Sequence, residues 1–129
     1  MLITPLFAAL FALLFLVLSI AVIRQRIRTE TSLGAGQDPE LEKAIRIHAN
    51  FSEYVPLALL LMWFVEMMTA MHLLVAVLGC ALLLGRICHI IGMLDHARFK
   101  FRQIGVLATF IVIAVCALLL LWTYLSGNA

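Results

Sequence analysis

Residues 42–56 read Glu-Lys-Ala-Ile-Arg-Ile-His-Ala-Asn-Phe-Ser-Glu-Tyr-Val-Pro, and they open a long apolar run. Four polar side chains of this stretch fall within an arc of roughly 80° if a helix turns about 100° per residue: Lys43, Arg46, Asn50 and Glu53. Ionisable groups are costly on a membrane helix and are kept where they meet one another, water or a polar ligand. This face therefore predicts a site for a small anionic ligand, with Glu53 holding the positively charged end of that ligand.

The composition is that of a membrane protein. Of the 129 residues, 65% are hydrophobic and only 12% are charged, which is too apolar for a soluble domain. The net charge of +2 is small, so a basic surface for a nucleic-acid partner is not predicted. Cys80, Cys88 and Cys116 lie inside apolar runs and are interpreted as packing residues. Cys88 and His89 lack further ligands at metal-binding spacing, so no metal site is predicted.

Four apolar segments are each long enough to cross a hydrocarbon core about 30 Å thick. We therefore predict an all-α membrane protein, a bundle of four transmembrane helices that forms a single domain over residues 1–129. The predicted helices cover residues 2–23, 39–68, 73–94 and 104–125, with a charged loop at 95–102. A cleaved signal peptide is the alternative for the first segment, but its arginines follow the apolar run, whereas a signal peptide carries positive charge before it.

Capping residues indicate where two of these helices begin. Thr4-Pro5 suits an N-cap followed by the first helical position, and Asp38-Pro39 repeats the arrangement at the second helix. Each pair therefore predicts a helix start next to its apolar run.

Three other polar side chains are expected to have no chemical role. His48 points away from the Arg46 face and is interpreted as structural. Glu66 lies near the far end of the second helix and is expected to reach the membrane interface, and His72 belongs to the following turn.

Every Lys and Arg falls on one side of the predicted bundle or within reach of it. They lie around the first and third loops: Arg24, Arg26, Arg28, Lys43, Arg46, Arg86, Arg98, Lys100 and Arg102. By the positive-inside rule both loops are cytoplasmic and both termini are periplasmic. The predicted ligand site then faces the cytoplasm.

The third predicted helix carries a second polar face beside a stripe of small residues. The polar face spans roughly 80° and consists of Arg86, His89, Met93, His96 and Lys100. The stripe consists of Ala81, Gly85, Cys88 and Gly92, and small residues let membrane helices approach closely. An alternative is that Arg86 simply pairs with Glu53 inside the bundle without any ligand. That pairing would leave the surplus of positive charge at the same depth unexplained.

Three motifs occur in an informative order and spacing. They are Arg46-x-His-x-Asn50-x-x-Glu53-Tyr54-x-Pro56 preceded by Glu-Lys-Ala-Ile, Gly85-Arg86-x-x-His89, and Arg102 before the fourth helix. This set resembles the signature of the MAPEG family, the membrane-associated proteins in eicosanoid and glutathione metabolism. The resemblance covers the whole chain and is greatest to the small bacterial inner-membrane branch.

This resemblance implies a homotrimer in the bacterial inner membrane that binds glutathione between neighbouring subunits. The implied glutathione-binding residues are Arg46, Asn50, Glu53, Arg86 and His89, with Glu53 on the α-amino group. Arg102 is the implied catalytic residue, because a nearby guanidinium favours the reactive thiolate. The implied activity is that of a glutathione transferase or peroxidase, acting on lipophilic electrophiles that reach the site from the membrane lipid.

Two departures from the family pattern bear on activity. Met93 stands where several animal enzymes carry tyrosine, and Ala49 stands where some carry a second arginine. The alternative function is therefore a membrane ligand-binding protein of the same fold without turnover. A small multidrug exporter is a distant third hypothesis, since it would need a carboxylate in the first helix and residues 2–23 contain none.

Overall fold

A computed structural model describes residues 1–127 as four α-helices with short connections. The helices are α1 (Thr4–Thr29), α2 (Pro39–Thr69), α3 (His72–Leu94) and α4 (Phe99–Leu125), with a 3₁₀ turn at His96–Arg98. All four are long and apolar enough to cross a membrane, and no strand occurs within residues 1–127. The prediction of an all-α protein with four transmembrane helices is confirmed.

Two helices continue into segments that were predicted to lie outside them. The first was predicted to end at 23 but runs to Thr29, where Glu30 adopts a left-handed conformation with φ 51°. The fourth was predicted to begin at 104 but begins at Phe99, so most of the predicted loop 95–102 is helical or a 3₁₀ turn. The reason is that charged residues such as arginine are good helix formers and do not end a helix as glycine or proline does.

The start of α2 follows the predicted pattern. The Asp38 side chain accepts a hydrogen bond from the backbone N–H of Leu41 at 2.9 Å, and Pro39 is the first helical residue. Arg28 donates to the same carboxylate at 2.6 Å across the α1–α2 connection. The Leu41 N–H first, and then the Arg28 guanidinium, hold the pKa of Asp38 below its ordinary value. The ionised side chain thus links the end of α1 to the start of α2.

Glu66 caps the start of α1 from the opposite end of α2. Its buried carboxylate accepts hydrogen bonds from the backbone N–H groups of Ile3 at 2.6 Å and Thr4 at 2.8 Å, and His72 Nδ1 lies 2.8 Å away. Ile3 occupies the N-cap position, so the predicted N-cap at Thr4 was wrong. The role of Glu66 as a helix cap was not predicted, and it arises because the buried N–H groups of a helix start need an acceptor.

Aromatic rings and one hydrogen bond join α1 to α2. Phe11 and Phe51 are buried with ring centroids 6.0 Å apart, and the Phe15 ring lies 4.8 Å from the ring of His48. His48 Nε2 is also 3.0 Å from the Ser19 hydroxyl oxygen. These contacts give His48 a structural role, which is what its position on the helix predicts.

Glycines bring the backbones of α3 and α4 together. A Cβ atom at Gly105 would overlap the α3 backbone at Gly85 and His89, and one at Gly92 would overlap the backbone of Arg102. Such close approach is typical of small residues between membrane helices. Gly85 and Gly92 belong to the small-residue stripe predicted for a partner helix, and that partner is α4. The contact places the start of α4 beside His89.

Candidate ligand-binding site

A buried cluster of three polar residues, the Arg86 cluster, lies between α2 and α3 and consists of Asn50, Arg86 and His89. Arg86 Nη2 donates to Asn50 Oδ1 at 2.6 Å and lies 3.1 Å from His89 Nδ1. Because a guanidinium only donates, His89 Nδ1 is the acceptor in this contact. The Phe51 ring centroid lies 5.9 Å from the guanidinium carbon. The structure thus brings together three of the predicted ligand-binding residues.

The Arg86 side chain retains hydrogen-bonding capacity that the chain does not use. The residue is 0% exposed, and its Nε and Nη1 atoms have no hydrogen-bond partner within residues 1–127. Arg86 does not take part in any ion pair within residues 1–127. Burying a charge is costly unless the charge is paired and hydrogen-bonded. The chemistry of this site therefore suits an anionic group with oxygen acceptors.

The other three predicted site residues lie outside the cluster. Arg46 and Glu53 are exposed on α2, and Arg102 is exposed in the first turns of α4. Within the described part of the chain, none of the three forms a side-chain hydrogen bond or an ion pair. The alternative in which Arg86 pairs with Glu53 is therefore wrong, because Arg86 donates to the neutral Asn50.

Asn50 connects the exposed charges on α2 to the buried arginine. Arg46 and Glu53 are four and three residues from Asn50, so all three side chains share one helix face. Asn50 is half-buried and contacts Arg86, whereas the flanking charges remain on the surface of the chain. A ligand or a neighbouring chain can reach these charges from outside.

The contact between α3 and α4 determines where the Arg102 side chain begins. The backbone of Arg102 packs directly on Gly92, which lies one helical turn after His89. Gly105 packs on the backbone of His89 itself. The guanidinium carbon of Arg102 lies 6.0 Å from the ring centroid of Phe99. Arg102 thus starts beside the cluster, but its charged end contacts an aromatic ring at the surface.

An open groove of about 400 Å³ borders Arg102 on the surface of α4. Its other lining residues are Phe99, Gln103, Val106, Leu107 and Phe110. The ring of Tyr54 on α2 lies 5.4 Å from that of Phe110. The groove thus offers an apolar surface next to a cation.

Sequence reasoning missed one residue that contacts the Arg86 cluster, and it predicted no metal site. Phe51 follows Asn50 directly, and only its position beside that motif residue could have suggested the ring contact with Arg86. Among residues 1–127, His, Cys, Asp and Glu side chains do not form any group of three that could hold a metal ion.

These features define a class of protein: a four-helix membrane protein with the Arg86 cluster toward its basic end. A model of the MAPEG family matches residues 4–122, and the chain therefore belongs to the MAPEG family. It is 39% identical over 120 residues to the inner membrane protein YecN of Escherichia coli strain K12, covering 93% of this chain and 91% of that protein. YecN of Escherichia coli O6:H1 matches with the same figures. At family level, this is a membrane protein related to glutathione and eicosanoid metabolism.

Proposed function

We propose that this protein binds glutathione in the bacterial inner membrane and transfers it to lipophilic electrophiles. The observation that carries the proposal is the buried Arg86 guanidinium, whose Nε and Nη1 atoms have no partner within residues 1–127. A glutathione carboxylate has the charge and the acceptor oxygens that these atoms need. Asn50 and His89 hold the guanidinium in position through the hydrogen bonds at 2.6 Å and 3.1 Å.

The exposed charges support a site that a neighbouring subunit completes. Arg46, Glu53 and Arg102 form no ion pair or side-chain hydrogen bond within residues 1–127, yet all lie close in sequence or in space to the Arg86 cluster. In a homotrimer, glutathione between subunits would contact Arg46 with its second carboxylate and Glu53 with its ammonium group. We therefore include the homotrimer in the proposal.

Arg102 is the proposed catalytic residue. A guanidinium near the glutathione sulfur favours the thiolate, which is the nucleophile in such transfers. Bound glutathione supplies this thiolate, whose sulfur forms a bond to the electrophilic carbon as the leaving group departs with its electron pair. The apolar groove beside Arg102 gives a lipophilic acceptor a path from the bilayer to the same place.

The second candidate function is glutathione binding without turnover. The residue that favours it is Met93, which is half-buried and packs against the hydrophobic core. Its thioether cannot donate a proton, unlike the tyrosine that several animal enzymes of the family carry at the matching position.

Two measurements on the purified protein separate these functions. Calorimetry measures glutathione binding, and a conjugation assay with a lipophilic aryl halide measures turnover. Binding with turnover supports the transferase, and binding without turnover supports the second candidate. A parent protein that shows no heat of binding and no conjugation would rule out both functions. Arg24 is an exposed cation outside the site, so Arg24→Gln serves as the control variant.

A further inference from the structure

We propose that the turn between α3 and α4 binds one anionic phospholipid of the surrounding bilayer. An open groove of about 540 Å³ lies along this turn and the start of α4. Its lining residues are Ala97, Arg98, Phe99, Lys100, Phe101 and Ile104. Basic and apolar side chains therefore line one and the same groove, as a phospholipid with a charged head and apolar chains requires.

The basic residues of the groove are available to a headgroup phosphate. Arg98 Nε lies 3.4 Å from Asp95 Oδ2, and the Arg98 side chain is 58% exposed. The other Asp95 oxygen, Oδ1, accepts a hydrogen bond from the backbone N–H of Ala97 at 3.0 Å. Lys100 is exposed and forms no ion pair or hydrogen bond with its side chain among residues 1–127. The groove thus carries an excess of positive charge, which attracts anionic lipid.

The apolar residues of the groove favour a lipid over a soluble anion. Phe99, Phe101 and Ile104 are 50%, 40% and 53% exposed, and Phe99 and Phe101 alternate in sequence with basic residues. The segment lies where α3 ends and α4 begins, which is the position of the membrane interface for two spanning helices. Aromatic side chains are enriched at that depth. A free phosphate would contact the cations alone and would leave the apolar half of the groove without a partner.

Three other cations at this end of the bundle already have polar partners within the chain. Arg26 donates to the carbonyl oxygens of the α1–α2 connection, Arg28 pairs with Asp38, and Lys43 pairs with Glu40. Lys100 differs because it has no such partner within residues 1–127, and the Arg98–Asp95 ion pair is longer, at 3.4 Å. The proposal does not depend on glutathione binding.

The test is native mass spectrometry of the protein released from equal mixtures of phosphatidylglycerol and phosphatidylcholine. We expect the parent to retain phosphatidylglycerol preferentially, and Lys100→Gln to lower that preference about fivefold, the value of one cation near an anionic surface. Arg98→Gln combined with Lys100→Gln should abolish the preference, and Lys100→Arg should preserve it. Arg24→Gln removes one exposed cation without a side-chain partner in residues 1–127 and should leave the preference unchanged.

Three results would overturn the proposal. The parent could retain both lipids equally, which would mean that the groove does not select charge. Arg24→Gln could lower the preference as much as Lys100→Gln, which would assign the effect to the overall charge of the surface. The soluble headgroup glycerophosphoglycerol could displace the lipid as well as phosphatidylglycerol does, which would assign binding to a free phosphate ester.

Discussion

At the scale of single residues, Arg86 is the most informative side chain of this protein. It is completely buried, and its direct partners within residues 1–127 are the neutral side chains of Asn50 and His89 and the Phe51 ring. Removing the partner of a buried charge is strongly destabilising, so a buried guanidinium without a carboxylate is a costly arrangement. Pairing with an anionic ligand in the functional state would offset the free-energy cost of burying this charge.

Asn50→Asp tests whether Arg86 is kept for a ligand. The substitution places a carboxylate 2.6 Å from Arg86 Nη2 with almost no change of shape. This internal anion should compete with the glutathione carboxylate, and we expect the affinity measured by calorimetry to fall at least tenfold, about 1.4 kcal/mol. Ser52→Asp adds the same charge at an exposed position of α2 and should change the affinity much less. Equal losses in the two variants would indicate a general effect of charge.

Arg102→Leu tests the proposed role of Arg102 in thiolate formation. If its guanidinium lies near the glutathione sulfur, it lowers the thiol pKa from an ordinary value of about 8.5 by roughly one or two units. The variant should therefore lose turnover far more than binding, since Arg86 and Glu53 remain. Thiolate absorbance near 240 nm against pH in the glutathione complex checks this. An identical midpoint in parent and variant would leave Arg102 as a membrane-surface cation beside Phe99.

At the scale of helices, glycine contacts decide how close the site residues come to one another. Gly85, Gly92 and Gly105 let α3 and α4 meet backbone to backbone, and this contact sets the distance between His89 and the start of α4. The Glu66 cap and the Asp38 cap hold the starts of α1 and α2. The site is thus positioned mainly by backbone packing on one side and by side-chain caps on the other.

Gly105→Ala should disturb both stability and ligand binding. The added methyl group would overlap the Gly85 carbonyl oxygen and the His89 backbone, which cannot move as a flexible side chain can. Overpacking of this kind costs about 1–3 kcal/mol, so we expect a lower apparent Tm and weaker glutathione binding. Ala114→Leu adds a larger group on an exposed face of α4 and should leave both unchanged. A Tm equal to that of the parent would show that the helices separate easily.

Sequence patterns predicted the existence of the helices better than their ends and partners. Apolar runs longer than the bilayer core indicate four spans, but charged residues such as Arg24 and Lys100 do not end a helix, so α1 and α4 are longer than predicted. Helical periodicity placed Asn50 and Arg86 on polar faces of their helices. It could not predict that they contact each other, or that Glu66 caps a helix start 62 residues away, because such contacts depend on how the helices pack.

At the scale of the whole molecule, the two ends of the bundle differ in charge. The end of α1, the start of α2 and the α3–α4 turn carry the basic residues, and Arg86 lies about 12 Å before the end of α3. At the other end, the described residues contribute the Glu66–His72 pair and no Lys or Arg. This asymmetry supports a single orientation in the membrane, with the proposed glutathione and phospholipid sites toward the same side.

Reporter fusions test that orientation. By the positive-inside rule the basic end is cytoplasmic, so alkaline phosphatase fused to the C-terminus should be active, because it folds only in the oxidising periplasm. The same enzyme fused after His96, in the α3–α4 turn, should be inactive, whereas green fluorescent protein at that point should fluoresce. The reverse pattern would place the Arg86 cluster toward the periplasm. It would also separate the proposed site from the reduced thiols of the cytoplasm, and the glutathione proposal would then lose its substrate supply.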